Sequence, residues 1–202
     1  MPNFAPINLN EISPKVAELQ SLLRIALPNS FELHSDELNQ QLAGETTRNG
    51  LQDLMGLLGQ NISIPTTGAI LIPAAIDAIK NMAVLSGKVV TQQNQVYPNQ
   101  TYKAYKVSFK GMGNINNMDS KAVLAQNLDD FAPLQGQNEE QKTDENGAFK
   151  IILSKNENKD NIIVFAFDAD GKVIGQTKLA THQDFADKFE MPNFNLKLKT
   201  GI

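Results

Sequence analysis

The sequence predicts an α+β protein in two domains, a small all-α domain of three to four helices followed by an antiparallel β-sandwich. Two observations carry this expectation. Apolar residues recur at helical spacing as far as about residue 83, and from about Val84 they alternate with a period of two. In the second part, clusters of Asn, Asp and Gly punctuate at least six alternating stretches, as strands joined by turns require. The expected organisation is a tail over residues 1–12, a helical domain over 13–83, and a sandwich over 84–202 with a long insert at 111–141.

In chain order, Ser13 is placed to cap a first helix that begins with Pro14, since proline lacks the N–H that a helix start leaves unpaired. Val16, Leu19, Leu22, Leu23 and Ala26 mark its apolar face, and Pro28-Asn29 stops it. A short helix over 36–42, capped by Ser35, follows. A third starts at Gly44-Glu45-Thr46-Thr47-Arg48 with Leu51, Leu54, Met55 and Leu58 inward and Gly59 as its stop. Pro73 opens the last helix, carrying Ile76, Ile79 and Ala83.

Residues 87–91 and 101–110 read as strands, the second with Tyr105, Val107 and Phe109 on one face. Ala148, Lys150 and Ile152 alternate with Phe149, Ile151 and Leu153. Residues 161–167 form a nearly continuous apolar run, as expected of a central strand. Asp170-Gly171 predicts a two-residue hairpin with positive φ at both central positions, and 172–179 is the return strand. Phe194, Leu196 and Leu198 alternate in a last strand.

The composition narrows the function classes. At 202 residues the chain has room for two small domains. Its 18 basic and 22 acidic residues give a net charge of −4, which argues against nucleic acid, whose binding rests on clustered Lys and Arg. The absence of Cys excludes a disulfide framework and a zinc–thiolate site. No stretch approaches the roughly 20 apolar residues of a membrane span, so no membrane insertion is expected. The first residues lack the basic start and apolar core of a secretory signal. Cytoplasmic synthesis is expected, with export or membership of an extracellular assembly by a route that uses no classical signal.

Two resemblances extend this reading. Val16-Ala17-Glu18-Leu19-Gln20-Ser21-Leu22-Leu23, then Gly44-Glu45-Thr46-Thr47-Arg48, then Thr67-Gly68-Ala69-Ile70 before the last helix make the first part resemble the peptidoglycan-binding-like fold. Where that family often has a Phe-Gln or Tyr-Gln pair, this chain has Leu54-Met55, so the resemblance carries over no aromatic sugar contact. The turn Thr143-Asp144-Glu145-Asn146-Gly147-Ala148-Phe149, with the hairpin from Val164 through Asp170-Gly171 to Gly175, resembles the carboxypeptidase regulatory-like (prealbumin-like) β-sandwich. The tandem is similar to segments of bacterial insecticidal-toxin-like and neuraminidase-like proteins. It implies a non-catalytic accessory role.

Reactive constellations are sparse. His34 and His182 fall in different predicted domains, and neither belongs to a His-Glu-x-x-His helix. No nucleophile elbow, phosphate-binding loop or dinucleotide fingerprint is present. Asp168-Ala169-Asp170-Gly171 and Asp144-Glu145-Asn146-Gly147 have a spacing that calcium loops use, yet both lack the distal Glu. Turns select the same residues for their own geometry, so no metal and no cofactor is predicted. Lys103, Lys106 and Lys110 divide between two strand faces, and Tyr97, Tyr102 and Tyr105 are candidates for stacking on sugars, with Tyr105 better read as core.

The expectation is therefore a non-enzymatic binding or adaptor component of a bacterial surface, toxin or injection assembly, its partner a protein of that assembly. The alternative is a protein that binds peptidoglycan or another cell-wall glycan, and a third reading is a hydrolase. The insert at 111–141 is too long for a routine connection. Its Ile115, Met118, Val123, Leu124, Leu128 and Phe131 are the candidate binding surface, with a short helix expected over 120–128.

Overall fold

A computed structural model of the chain describes residues 4–28, 31–107, 131–134, 141–155 and 161–199. The chain divides into two compact units, Met1–Met82 and Ala83–Ile202.

The first unit carries α1 (Pro14–Ala26), α2 (Ser35–Gln40), α3 (Glu45–Leu57) and α4 (Pro73–Lys80). Pro14 opens α1 as its sequence indicates, but the Ser13 hydroxyl does not cap the helix; it donates to Glu11 Oε1 at 2.8 Å. Val16, Leu19, Leu22, Leu23 and Ala26 of α1 are buried, as are Leu51, Leu54 and Met55 of α3. Extended chain is part of the same unit. The N–H groups of Ile70 and Leu71 donate to the Ile7 carbonyl at 2.8 and 3.1 Å, and Asn10 and Ala43 are joined by the bond from Asn10 N–H to the Ala43 carbonyl at 2.9 Å. Isolated bridges link Asn8 to Ala69 and Ile12 to Leu42. Arg48 Nε donates to the Pro65 carbonyl at 3.0 Å, and Gln52 bonds Ile62 and Ile64, so α3 side chains hold the segment leading to α4.

The second unit holds β1 (Met82–Val90, which starts at the boundary), β2 (Thr101–Val107), β3 (Phe131–Pro133), β4 (Gln141–Lys142), β5 (Ala148–Ser154), β6 (Asn161–Phe167), β7 (Val173–Thr177), α5 (His182–Phe185), β8 (Glu190–Met191) and β9 (Leu196–Leu198). These strands form one sheet in the order β3-β2-β6-β7-β9-β1-β5, with β4 on β2 and β8 on β1. β2, β6, β7 and β9 pair antiparallel in succession. β1 pairs parallel with β8 and with β9, where Val89 faces Leu196 and Val90 faces Lys197.

This architecture corrects the expected fold class. A small all-α domain followed by an antiparallel sandwich gives way to a curled, mixed β-sheet, and five short helices are found among the described residues. The physical reason is β1. By running parallel to β9 it joins strands that a sandwich would divide between two sheets. Ala83, expected to end the last helix, lies in β1 instead.

β6 has the two-sided burial its apolar run implies. Ile162, Val164 and Ala166 join one core with Leu85, Val89, Phe149, Ile151, Phe185 and Leu196. Ile163, Phe165 and Phe167 join another with Tyr105, Val107 and Phe131. Period-two alternation sends successive β6 side chains to opposite faces, which is why one strand feeds two clusters.

Candidate functional site

Strand register brings three connections to one end of the sheet. Thr101, the first residue of β2, faces Phe167 of β6 and Lys142 of β4. The β1–β2 loop, the β4–β5 turn and the β6–β7 turn therefore meet there. The two turns are built alike. In each, an Asp accepts through one carboxylate oxygen from the N–H groups two and four residues on: Asp144 Oδ1 from Asn146 (2.9 Å) and Ala148 (2.7 Å), Asp168 Oδ1 from Asp170 (3.0 Å) and Lys172 (2.8 Å). Gly147 and Gly171 close them with φ of 65° and 75°. Asp170 does not share the positive φ expected of it. A single left-handed residue after an Asp-led turn reverses the chain instead, and the β6–β7 register shifts next to it.

The β1–β2 loop is fixed to these turns. Asn99 N–H donates to the Asp144 carbonyl at 3.4 Å, Gln100 N–H to Thr143 Oγ1 at 2.9 Å, and Thr143 N–H returns to the Gln100 carbonyl at 3.0 Å. The Gln100 amide also bonds the Phe167 carbonyl, and the Gln92 amide bonds that of Leu198. Tyr97 N–H donates to the Val89 carbonyl and Thr91 N–H to that of Gln95, so the loop folds back on the end of β1 with Val96 opposite Val90. In that antiparallel pattern the Val96 N–H and carbonyl point away from β1. Gly147 permits the approach: a Cβ there would lie 2.8 Å from Val96 Cγ1 and 3.1 Å from the Tyr97 carbonyl.

The result is a loop tied at both ends, with an exposed apolar tip. Residues 92–99 are all exposed, Val96 at 44% and Tyr97 at 38%. Among the described residues the other exposed large apolar side chains are Ile12 and Ile25, in the first unit. Gln93, Asn94, Gln95 and Asn99 surround the Val96–Tyr97 pair in sequence with amide groups. Pro98 has no N–H to offer a further strand, so contact at this tip falls to side chains rather than to strand addition.

Beneath the loop end, Tyr102 is buried and its hydroxyl lies 2.7 Å from Gln141 Oε1. Burial, reinforced by the charge of Asp144, pushes the phenol up to about 12. Lys150 is lowered by burial, with Glu190 and Asp144 pulling it back. A phenol so raised stays protonated at neutral pH and serves as a donor, not a base.

The sequence candidates separate clearly. Of the insert residues, Ile115, Met118, Val123, Leu124 and Leu128, with the helix expected over 120–128, lie outside the described residues. Phe131 is buried, its ring edge-on to Phe165 at 5.5 Å. Of the tyrosines, Tyr102 and Tyr105 are buried and Tyr97 is exposed. His34 is exposed, 3.8 Å from Asp36, and His182 packs edge-on to Phe185 at 5.3 Å. Lys110 lies outside the described residues. Among the described residues no three His, Cys, Asp or Glu side chains cluster as metal ligands would, and no helix is long and apolar enough to cross a membrane. Of the tip, the sequence offers Tyr97 as a stacking candidate but not Val96 beside it, because the loop that presents them is tied by Gln92 and Gln100 to partners distant in the chain.

No protein-family model matches the chain, and no curated protein matches it. Solved structures are similar only remotely. A catechol 1,2-dioxygenase from Acinetobacter sp. ADP1 aligns with 13% identity and a TM-score of 0.31, over 60% of this chain and 53% of its own. A 9R-lipoxygenase from Cyanothece PCC8801 aligns with 11% identity and a TM-score of 0.33, over 76% of this chain and 20% of its own. An alternative pilotin from the type II secretion system of Vibrio cholerae aligns with 16% identity and a TM-score of 0.32, over 59% of this chain and 99% of its own. The chain thus spans about half the length of the dioxygenase and a fifth of the lipoxygenase. At these scores none of the three assigns a family or an activity.

Proposed function

We propose that the chain is a non-catalytic binding or adaptor component of a bacterial surface, toxin or injection assembly, and that it contacts its partner through the loop end of the sheet. The observation that carries the contact surface is the Val96–Tyr97 tip, exposed on a loop whose ends are pinned by Gln92, Asn99 and Gln100. Loops held on a rigid scaffold are where binding residues concentrate, and tyrosine is favoured at contact centres because its ring buries much area with little loss of rotamer freedom. The setting rests on the sequence resemblance of the first part to a peptidoglycan-binding-like module and on the turn motifs of the second, whose expected sandwich the mixed sheet replaces. The carboxylates of Asp144 and Asp168 bond to backbone in their own turns, which supports a scaffold use for them.

The test compares the parent chain with Val96→Ser/Tyr97→Ser. Both are exposed, so the double variant should fold as the parent does by circular dichroism. It should weaken binding to the protein recovered with the parent from native lysate by about tenfold or more, as loss of a central aromatic contact does. Equal retention of that protein by parent and variant would refute the assigned surface. A second reading, glycan binding, is favoured by the same half-exposed Tyr97 ring on a loop that also carries the exposed amide residues Gln93, Asn94 and Gln95. Sedimentation with purified cell-wall sacculi, abolished by Tyr97→Ser, separates it from protein contact.

A further inference from the structure

Helices α2 and α3 cap one another through Glu37. This side chain belongs to α2, only 7% of the residue is exposed, and its carboxylate reaches the start of α3. Oε1 accepts from Thr46 N–H at 2.8 Å, and Oε2 accepts from Thr47 N–H at 2.8 Å and from the Thr47 hydroxyl at 2.7 Å. α3 has Gly44 at its N-cap, which brings no side-chain oxygen, so Glu37 supplies the missing cap from a different helix. A Cβ on Gly44 would collide with that carboxylate. The Thr46 hydroxyl accepts in turn from His34 N–H at 3.1 Å, the N-cap residue of α2. From α1, Gln20 Nε2 closes the group on the Glu37 carbonyl, the Leu42 carbonyl and Thr47 Oγ1 at 3.2, 3.0 and 3.1 Å.

We propose that Glu37 is an acid-released latch: protonating its carboxyl frees the first turn of α3 from the α2 side chain that caps it, while the sheet unit stays folded. A carboxylate oxygen that accepts two donors loses that capacity when it carries a proton of its own. The surrounding charges do not substitute for it. On α2, His34 and Asp36 have side chains 62% and 72% exposed, and on α3, Glu45 is exposed. Arg48 is turned to Pro65 and Asn49, Glu11 is bonded to Asn8 and Ser13, and α1 offers the uncharged Gln20 while Glu18 and Arg24 face solvent. Burial raises the carboxyl, and the bonds from Thr47 and Thr46 together outweigh it, so Glu37 sits below the ordinary value of 4.5. A carboxyl lowered in the fold stabilises above its unfolded value and ceases to do so as pH falls through the folded one. The latch therefore holds at neutral pH and opens below 4.5.

Amide resonances followed by NMR from pH 7 to pH 2.5 test this directly. The Thr46 and Thr47 amides should titrate together below pH 4.5 while resonances of Phe165 and Tyr105 in the sheet unit keep their dispersion. Glu37→Gln should show the acid positions of both amides already at pH 7 and lose the transition. Thr47→Val keeps the shape and removes one donor from the carboxylate, so its transition should move to higher pH. This second variant decides the matter if Glu37→Gln does not fold. Thr46 and Thr47 amides that stay unmoved in acid, that titrate alike in Glu37→Gln, or that titrate at an unchanged midpoint in Thr47→Val would overturn the proposal. So would loss of both units in one step.

Discussion

Two glycines in one helix should respond to alanine in opposite senses. Gly50 and Gly56 both lie within α3, where glycine costs about 0.8–1.0 kcal/mol relative to alanine. At Gly56 nothing lies within 4 Å of the position a Cβ would take, so Gly56→Ala should recover about 0.5–1 kcal/mol, reduced by its place near the helix end. At Gly50 the same methyl meets the tip of the Phe31 ring and lies 3.3 Å from Leu27 Cδ1. Overpacking of this kind costs about 1–3 kcal/mol. Set against the same helical gain, it leaves Gly50→Ala neutral to about 2 kcal/mol less stable. Thermal unfolding followed by circular dichroism at the helical band measures both. For a unit of this size, Gly56→Ala should raise the midpoint by roughly 2–8 °C and Gly50→Ala should not raise it. Equal stabilisation by the two substitutions would refute the packing argument and show that Phe31 moves aside freely.

Further outcomes follow from the sheet unit. Gly171→Val should destabilise by about 1–2 kcal/mol in urea unfolding, because φ is 75° there and the left-handed region is costly to a β-branched residue. Phe165→Ala should cost about 3–5 kcal/mol, since the ring is fully buried between Tyr105 and Phe131; a loss under 1 kcal/mol would contradict that packing. Subtracting the ultraviolet titration of Tyr102→Phe from that of the parent should reveal a phenol ionising at about 12. An acid raised by folding stabilises below its unfolded value, so this contribution should decline from about pH 10 upward.

The sequence was most legible where structure is local. Pro14 and the Val16, Leu19, Leu23 spacing locate α1 because a helix start and an apolar stripe are both written within four residues. The apolar run at 161–167 identifies a strand buried on both faces, and β6 is such a strand. The sheet itself was not legible, because its distinctive pairing joins β1 to β9. Nothing in Val89-Val90 specifies Leu196-Lys197 as a partner, and parallel pairs leave no hairpin signature. Turn residues misled in one respect. Asp170-Gly171 predicts a two-residue hairpin, whereas Asp168 governs a longer turn through its carboxylate, as Asp144 does in the other. The loop-end site was half legible. Tyr97 could be named as a stacking candidate, but its exposure and the burial of Tyr102 depend on strand register.

The pairing of β1 with β9 also governs when the sheet can form. β9 is an inner strand, and Lys88 bonds Asn195 across 107 positions of sequence. As the chain leaves the ribosome, β1 with its apolar Ala83, Val84 and Leu85 is complete long before β9 exists. Closing so long a connection is slow, and until it closes the β9 side of β1 is an open edge in the growing chain. The helical unit has all its residues at hand by Met82 and is free to fold during that interval. The seam between β1 and β9 therefore closes only once residues 196–198 are made, and a chain interrupted before Leu196 loses a strand from the middle of the sheet rather than from its margin.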